Sequence, residues 1–135
     1  MSYQPPFDVA GSAIAAQSVR LSTVASNMAN ADSVSGDPNT VYRAKQPVFT
    51  TEQLGANPAL QGVRATQVLD SQAQPIKRYE PGHPLADGNG YVYAPDIDPV
   101  AQMVDLISAS RSYQANVEVF NSAKETALAT LNMGR

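Results

Sequence analysis

The chain has 135 residues, a net charge of −3 and 16% charged residues, a length that suits a single domain. This acidic balance argues against a nucleic-acid partner, because phosphate contacts need clustered Lys and Arg. With no cysteine and one histidine, His83, disulfides, thiolate metal sites and most catalytic triads are excluded. We therefore expect no enzymatic activity, no cofactor and no metal.

The sequence has neither an apolar run that could span a membrane nor the pattern of a signal peptide. No run of 18 apolar residues is present to span a bilayer. The first residues also lack a basic cluster followed by a continuous apolar stretch, so we expect neither membrane insertion nor a cleaved signal peptide.

The composition changes along the chain in three regions. Residues 7–31 and 98–132 have helical spacing, whereas 32–97 is rich in turn and strand residues. All ten prolines lie outside the helix interiors, where each would cost about 3 kcal/mol. The pattern predicts a mainly α fold with a small β insert at 32–97. Residues 1–31 and 98–135 are expected to pair as an antiparallel coiled coil, forming one discontinuous domain.

The first predicted helix carries an apolar heptad but almost no charge. Between residues 1 and 31 only Asp8 and Arg20 are charged, which indicates protein on more than one side of the helix. The heptad is either an internal core or a seam shared with neighbours, and the scarcity of charge favours the shared seam. Positions a are Phe7, Ile14, Leu21 and Met28, and positions d are Ala10, Gln17, Val24 and Ala31.

The second predicted helix has clear start and stop signals. Asp98 suits the N-cap, Pro99 the first helical position, and Gly134 the stop. This helix is longer than the first, so part of its surface has no partner within the pair. Its apolar positions are Leu106, Tyr113, Phe120 and Ala127, with Met103, Val117 and Leu131 on the adjoining stripe, which Val104 and Ile107 widen near its start.

Three or four short strands are predicted in the insert. Residues 41–51 are strand-like, with Pro47 indicating an edge or a bulge. Residues 62–69 form a second candidate, with Val63, Ala65 and Leu69 on one face. Residues 91–93 follow the turn sequence Asp87-Gly88-Asn89-Gly90.

Four features could suggest metal binding or catalysis, but each has a simpler structural explanation. The turn at 87–90 has the start of a calcium loop, but Tyr91 and Val92 follow where a ligand and a glycine are required, which favours a turn. His83 has no companion ligand and suits a surface or inter-subunit turn. Asp96 and Asp98 form a pair of carboxylates of the kind used in acid–base chemistry, but helix capping explains Asp98. The pair at 77–78 suits contact with a carboxylate or solvent.

Several segments together resemble a known family. The sequence Ala25–Ala31, preceded by Gly11–Ala16, resembles the signature that ends the first helix of flagellar basal-body rod proteins. Met103–Asn116 resembles the paired C-terminal helix of that family. Tyr42–Lys45 and Tyr79–Asp98 are similar to the insert of its proximal rod subunit, so the resemblance covers nearly the whole chain.

This resemblance implies a structural subunit that polymerises helically into the drive shaft carrying motor torque to the hook and filament. It implies a place in the basal body within the periplasmic space, and export through the flagellar type III apparatus. The implied partners are further copies, other rod subunits, and the membrane-embedded ring and rod adaptor at the base. Contact of the insert with the surrounding bushing rings stays open. The alternative is a soluble coiled-coil adaptor or export-linked protein in a closed complex.

The two end helices are the predicted assembly interface, and we expect their ordering to be coupled to assembly. Asn27 and Asn30 either end the first helix or fix the register between subunits. Arg111 and Tyr113 belong to residue types enriched in interface hot spots. The candidate interface residues are Ile14, Leu21, Val24, Asn27, Met28, Asn30, Met103, Leu106, Arg111, Tyr113, Asn116, Val117, Phe120 and Leu131.

Overall fold

A computed structural model describes residues 5–134, and the outermost ends of the predicted helical domain, 1–4 and 135, lie outside them. Two long helices stand before and after four antiparallel strands in chain order, which confirms the two predicted helices and the strands between them, with roughly half of the chain helical. The strands form two separate antiparallel pairs, β1 with β2 and β3 with β4. The elements are α1 (Pro5–Asn30), β1 (Lys45–Gln53), β2 (Gln61–Asp70), β3 (Ile76–Tyr79), β4 (Tyr91–Ala94) and α2 (Pro99–Met133).

The start of α2 follows its predicted signals. The carboxylate of Asp98 accepts a hydrogen bond from the Val100 amide at 2.9 Å, and Pro99 occupies the first helical position. Both features suit a helix start, because they satisfy or remove an amide that has no partner within the helix. The helix stops before Gly134 as predicted, although φ of −89° there is not left-handed.

Side chains along α1 contact side chains of α2. The rings of Phe7 and Phe120 meet edge to face with centroids 5.2 Å apart. Arg20 pairs with Asp105 at 3.0 Å, and Asn27 donates to Gln102 at 3.1 Å. Positions 7, 20 and 27 on α1 therefore meet positions 120, 105 and 102 on α2, in reverse order.

The buried face of α1 differs from the predicted heptad. Of the predicted seam, Ala10 and Val24 are buried, whereas the four a positions are only half-buried. Ala16, Thr23 and Asn27 are buried beside them. The face is shifted because α1 contacts α2 on one side and both β1 and β2 on another. The expected second layer of protein around this helix is thus supplied in part by the chain itself.

The β1–β2 hairpin contains a bulge that changes which side chains share a face. The register passes from Val48–Gln67 to Phe49–Ala65, so Thr66 is the additional residue and the bulge lies on β2. Pro47 therefore lies near an irregularity, as predicted, but on the regular strand. Beyond the bulge, Leu69 faces the opposite side from Val63 and Ala65, so its predicted place beside them is wrong.

The second strand pair anchors the insert to the end of α1. Ser35 and Tyr93 exchange backbone hydrogen bonds of 2.9 and 2.8 Å, which extends β4 on its free edge. Val92 and Ala94 on β4 are buried. Strand β3 was not predicted individually, because Ile76–Tyr79 has no alternation of apolar and polar residues.

The hairpin lies so close to α1 that a glycine is needed at position 62. A Cβ there would lie 2.6 Å from the Ser12 hydroxyl and 2.7 Å from a methyl group of Leu54. The hydroxyl cannot turn away without cost, because it bonds the Val9 carbonyl and the Val63 amide. We expect Gly62→Ala to lower the free energy of unfolding by about 1–2 kcal/mol, measured by thermal unfolding.

The control for this variant is Gly82→Ala. A Cβ at position 82 would meet nothing within 4 Å, and its φ lies outside the left-handed region. An equal loss of stability in both variants would contradict the role assigned to Gly62.

Candidate assembly surface

Asn27 joins three elements of the fold through its side-chain amide. It is 3% exposed, and its Nδ2 donates to the Lys45 carbonyl at 2.9 Å and to Gln102 on α2 at 3.1 Å. Its Oδ1 accepts from the Lys45 amide at 2.8 Å and from the Tyr42 hydroxyl at 3.0 Å. All of its hydrogen-bonding capacity is used inside the chain.

The Tyr42 hydroxyl extends this network back to α1. Because it donates to Asn27, it accepts from the Ser26 hydroxyl at 3.0 Å. The helix pair is thus fixed to the start of β1, where Asp70 pairs with Lys45 at 3.0 Å and raises the pKa of that ammonium group. Neither of the two roles predicted for Asn27 describes this arrangement.

The other predicted interface residues fall into groups by exposure. Asn30 is the last residue of α1 and donates to the Ser26 carbonyl of its own helix. Val24 and Asn27 are buried, whereas Met103, Arg111 and Leu131 are exposed. The remaining nine are half-buried: Ile14, Leu21, Met28, Asn30, Leu106, Tyr113, Asn116, Val117 and Phe120.

An apolar stripe lies on the outside of α2, where the sequence analysis expected it to adjoin the inward seam. Val100, Met103, Val104 and Ile107 follow the spacing i, i+3, i+4, i+7 and share one helix face. Their exposed fractions range from 51% for Met103 to 68% for Val100. The buried residue Ala109 lies about half a turn away. We call these four residues the outer stripe; the sequence analysis placed Met103, Val104 and Ile107 on the stripe adjoining the predicted seam, and it did not name Val100.

The solvent-accessible surface is large for a chain of this mass. It measures 8959 Å², whereas folded monomers of 14.3 kDa expose about 6,800 Å². The difference, about 2,200 Å², is of the order of the surface that obligate assemblies bury. Exposed surface with apolar patches of this kind is typical of interaction sites.

The features considered for chemistry have structural partners. The imidazole Nδ1 of His83 accepts from the Leu85 amide at 3.1 Å within a turn, and Arg78 pairs with Glu80 at 2.7 Å. Lys77 lies 3.9 Å above the ring of Tyr91. Within residues 5–134 no three acidic or histidine side chains are grouped to hold a metal. None of the helices described is both long and apolar enough to cross a lipid bilayer.

The turn before β4 is held by the carboxylate of Asp87. It accepts from the amides of Tyr91 and Asn89, each at 2.9 Å, and Gly90 has φ of +82°. The bond from the Tyr91 amide is the main cause that lowers the pKa of Asp87, with smaller effects from Asn89 and Lys77. The predicted turn is confirmed, as the end of the longer connection 80–90.

This carboxylate predicts a pH-dependent contribution to stability. Because its pKa is lower in the folded chain, ionised Asp87 stabilises the fold at neutral pH, and the effect is lost as the pH falls through the lowered pKa. We expect Asp87→Ala to lower the melting temperature at pH 7 and to differ less from the parent chain in acid. A difference in melting temperature between the two chains that stays constant down to pH 2 would contradict this. The matched control is Asp37→Ala, which removes a carboxylate from another turn.

Comparison with known proteins shows the family to which the chain belongs. Residues 7–36 match the model of the flagella basal body rod protein, and residues 89–133 match the C-terminal model of the flagellar basal body rod FlgEFG proteins. The chain is 56% identical to the flagellar basal-body rod protein FlgC of Salmonella typhimurium over 96% of both chains. The chain belongs to the FlgC family of flagellar basal-body rod proteins. The FlgC proteins of Yersinia enterocolitica, 53% identical over the full length of both chains, and Aquifex aeolicus, 38% identical over 87%, extend the likeness.

The two matched segments of this FlgC-family chain contain the two long helices. The rod-protein match, 7–36, includes all but the first two residues of α1, and the C-terminal match, 89–133, includes β4 and the whole of α2. The candidate assembly surface therefore lies on the parts that the family models describe.

Proposed function

We propose that this chain is a structural subunit of the proximal rod of the bacterial flagellar basal body, where it polymerises helically and carries torque. The observation that carries this proposal is the identity of 56% to a FlgC protein over 96% of both chains. The family is structural rather than enzymatic, and a rod subunit assembles with other rod components. Close packing of side chains between subunits would transmit strain with little compliance.

The helix pair is the proposed core of the subunit. The reversed order of the contacts at 7–120, 20–105 and 27–102 supports antiparallel pairing in the manner of a coiled coil. On this proposal, 1–31 and 98–135 form one discontinuous domain and 32–97 is an insert. The network at Asn27 supports a fixed junction between the two parts.

Neighbouring subunits are proposed to contact the open surface of this pair. Met103, Arg111 and Leu131 are exposed and available to a neighbour, and the half-buried candidates border the same helices. The buried candidates Val24 and Asn27 support the surface from within. Beyond other rod subunits, we propose contact with the membrane-embedded ring and rod adaptor, in the periplasmic space after export by the flagellar type III apparatus.

Complementation tests this function directly. The chain is produced in Salmonella typhimurium cells that lack FlgC, and swimming and the composition of isolated basal bodies are measured. We expect swimming to return and the chain to be present in the basal bodies. Recovery of the chain only in a closed soluble complex, with no swimming, would contradict the proposal and favour an adaptor.

A substitution in the helix pair can be tested in the same swimming assay. Leu21 is half-buried on α1, and a carboxylate there loses apolar burial worth about 1–2 kcal/mol and must also be hydrated. We expect Leu21→Asp to abolish swimming. The control Asn57→Asp adds the same charge in an exposed turn. Its carboxylate can still accept the hydrogen bond from the Ala59 amide, so cells with this variant should swim normally.

A further inference from the structure

The turn that leads into β4 contains two positions at which an acidic or amide side chain is followed by glycine. They are Asp87-Gly88 and Asn89-Gly90. The Gly90 amide donates to the Asp87 carbonyl at 2.9 Å, which places Gly88 and Asn89 at the centre of the turn. In this sequence Asn89 is the one asparagine that precedes a glycine. A glycine has no Cβ to shield its nitrogen, so an asparagine before it is the most exposed to attack by the backbone.

The fold requires the glycine at this position but does not hold the asparagine side chain. Gly90 has φ of +82°, and a Cβ there would lie 3.0 Å from the Cβ of Pro81 and 3.1 Å from the ring of Tyr79. Asn89 is exposed, and its backbone amide donates to Asp87. Within the described part of the chain its side-chain amide makes no hydrogen bond. This amide is therefore free to turn towards the nitrogen that follows it.

We propose that Asn89 is a site of spontaneous deamidation, in which the Gly90 nitrogen closes a cyclic imide on the Asn89 side chain. The nitrogen bonds to Cγ, the bond from Cγ to Nδ2 breaks, and ammonia leaves with the proton that the Gly90 amide gives up. Water then adds to one of the two imide carbonyls and reopens the ring. Addition at Cγ gives aspartate, and addition at the backbone carbonyl gives isoaspartate. Water is the only co-reactant, and nothing is oxidised or reduced.

The closed turn slows this reaction because it holds the attacking nitrogen. Besides the bond from its amide to Asp87, Gly90 accepts a hydrogen bond from the Glu80 amide at 2.9 Å. The Asp87 carboxylate also accepts from the amides of Asn89 and Tyr91. The hydrogen bond of the Gly90 amide must break before its nitrogen can reach Cγ. The reaction therefore proceeds from the fraction of chains in which the turn is open.

The neighbouring Asp87-Gly88 position is protected by the same hydrogen bonds. Ring closure on an aspartate expels water and requires the carboxyl group to be protonated. The bond from the Tyr91 amide has the largest effect on the pKa of Asp87 and lowers it, so this carboxyl group stays ionised at neutral pH. The turn thus directs the reaction to Asn89.

Deamidation changes the segment that attaches β4 to the rest of the fold. Either product adds a carboxylate beside Asp87, and isoaspartate also adds one carbon atom to the backbone before Gly90. Both changes disturb a turn in which the Tyr91 amide must reach the Asp87 carboxylate. The inference does not depend on the proposed rod function, because the chemistry is measured on the purified chain without swimming or basal bodies.

Mass spectrometry of the folded full-length chain tests the site. The purified chain is incubated at neutral and mildly alkaline pH and digested, and aspartate and isoaspartate are separated by chromatography. We expect both products to accumulate at Asn89 ahead of any other asparagine, including the exposed Asn57, whose following proline has no amide hydrogen. Earlier conversion of another asparagine would overturn the proposal. So would an Asn89 that stays intact in the folded chain over an incubation that converts it in urea.

The chemical control is Asn89→Gln. This variant keeps an exposed amide but places it one methylene further from the Gly90 nitrogen, where imide closure is disfavoured. We expect it to retain its amide over the incubation that converts Asn89. Equal loss of ammonia from both side chains would overturn the imide route.

Opening the turn should accelerate the reaction. Asp87→Ala removes two hydrogen bonds from the closed turn, each of which stabilises it by roughly a factor of five, so conversion at Asn89 should be at least about ten-fold faster than in the parent chain. Asp37→Ala removes a carboxylate that accepts from Asn39 in another turn and should leave the rate at Asn89 unchanged. Equal rates in the two variants would overturn the role of the turn. Where Asp87→Ala does not fold, the unsubstituted chain is measured at urea concentrations below unfolding, and a rate that does not rise with urea would overturn it too.

Discussion

Replacement of Asn27 by alanine is expected to lower the free energy of unfolding by about 3 kcal/mol and the melting temperature by about 10 °C. The substitution removes four hydrogen bonds at once. It leaves the amide and carbonyl of Lys45 without these partners in a partly buried place, which adds a desolvation cost to the loss of the bonds. Thermal unfolding followed by circular dichroism measures the change.

Two further variants separate this network from a general effect of removing an asparagine. Asn30→Ala loses one bond to the carbonyl of Ser26 in its own helix, so its effect should stay below about 1 kcal/mol. Asn27→Asp keeps an acceptor for the Lys45 amide but sets a carboxylate against the Lys45 carbonyl. Its stability should rise as the pH falls, because the protonated carboxyl donates. Equal losses at positions 27 and 30 would contradict the assigned network.

The helices were predictable because their signals are local. The N-cap at Asp98 and the proline at 99 act on the first turn of α2 and require no knowledge of the rest of the chain. The same is true of the turn at Asp87. Predictions of this type needed only the neighbouring residues, and each is confirmed within one or two positions.

The heptad was less informative because it assumes one partner helix. In the structure α1 is covered by α2 on one side and by the hairpin on another, so Ala16 and Thr23 are buried although they lie outside the predicted seam. The bulge at Thr66 had the same effect on β2. A single additional residue moved Leu69 to the other face, and the sequence carries no signal for its position.

The candidate site also contains features that depend on residues distant in sequence. Asn27 was singled out by its motif, but its partners at 42, 45 and 102 are distant in sequence. Its role is therefore a property of the tertiary structure. The outer stripe has visible helical spacing, yet a sequence does not show which of two apolar faces of α2 is already occupied. The structure separates them, since Ala109 faces inward and Val104 outward.

A charge placed in the outer stripe should separate folding from assembly. Val104 is 62% exposed, so Val104→Asp should change the free energy of unfolding by no more than about 0.5 kcal/mol. In the assembled rod, however, a neighbouring subunit packed on this apolar face would bury an unpaired carboxylate, which is strongly unfavourable. We expect the variant to be produced and folded normally but to be absent from isolated basal bodies, with loss of swimming.

Gln114→Asp is the control because it adds the same charge at an exposed position of α2 that the outer stripe does not include. It should leave swimming intact. Loss of swimming in both variants would indicate that α2 tolerates no added charge anywhere, and the outer stripe would have no special role. Normal swimming of Val104→Asp would show that this face of α2 stays in solvent in the rod. The combination of an unchanged melting temperature and lost assembly is what distinguishes an interface between subunits from a core within one.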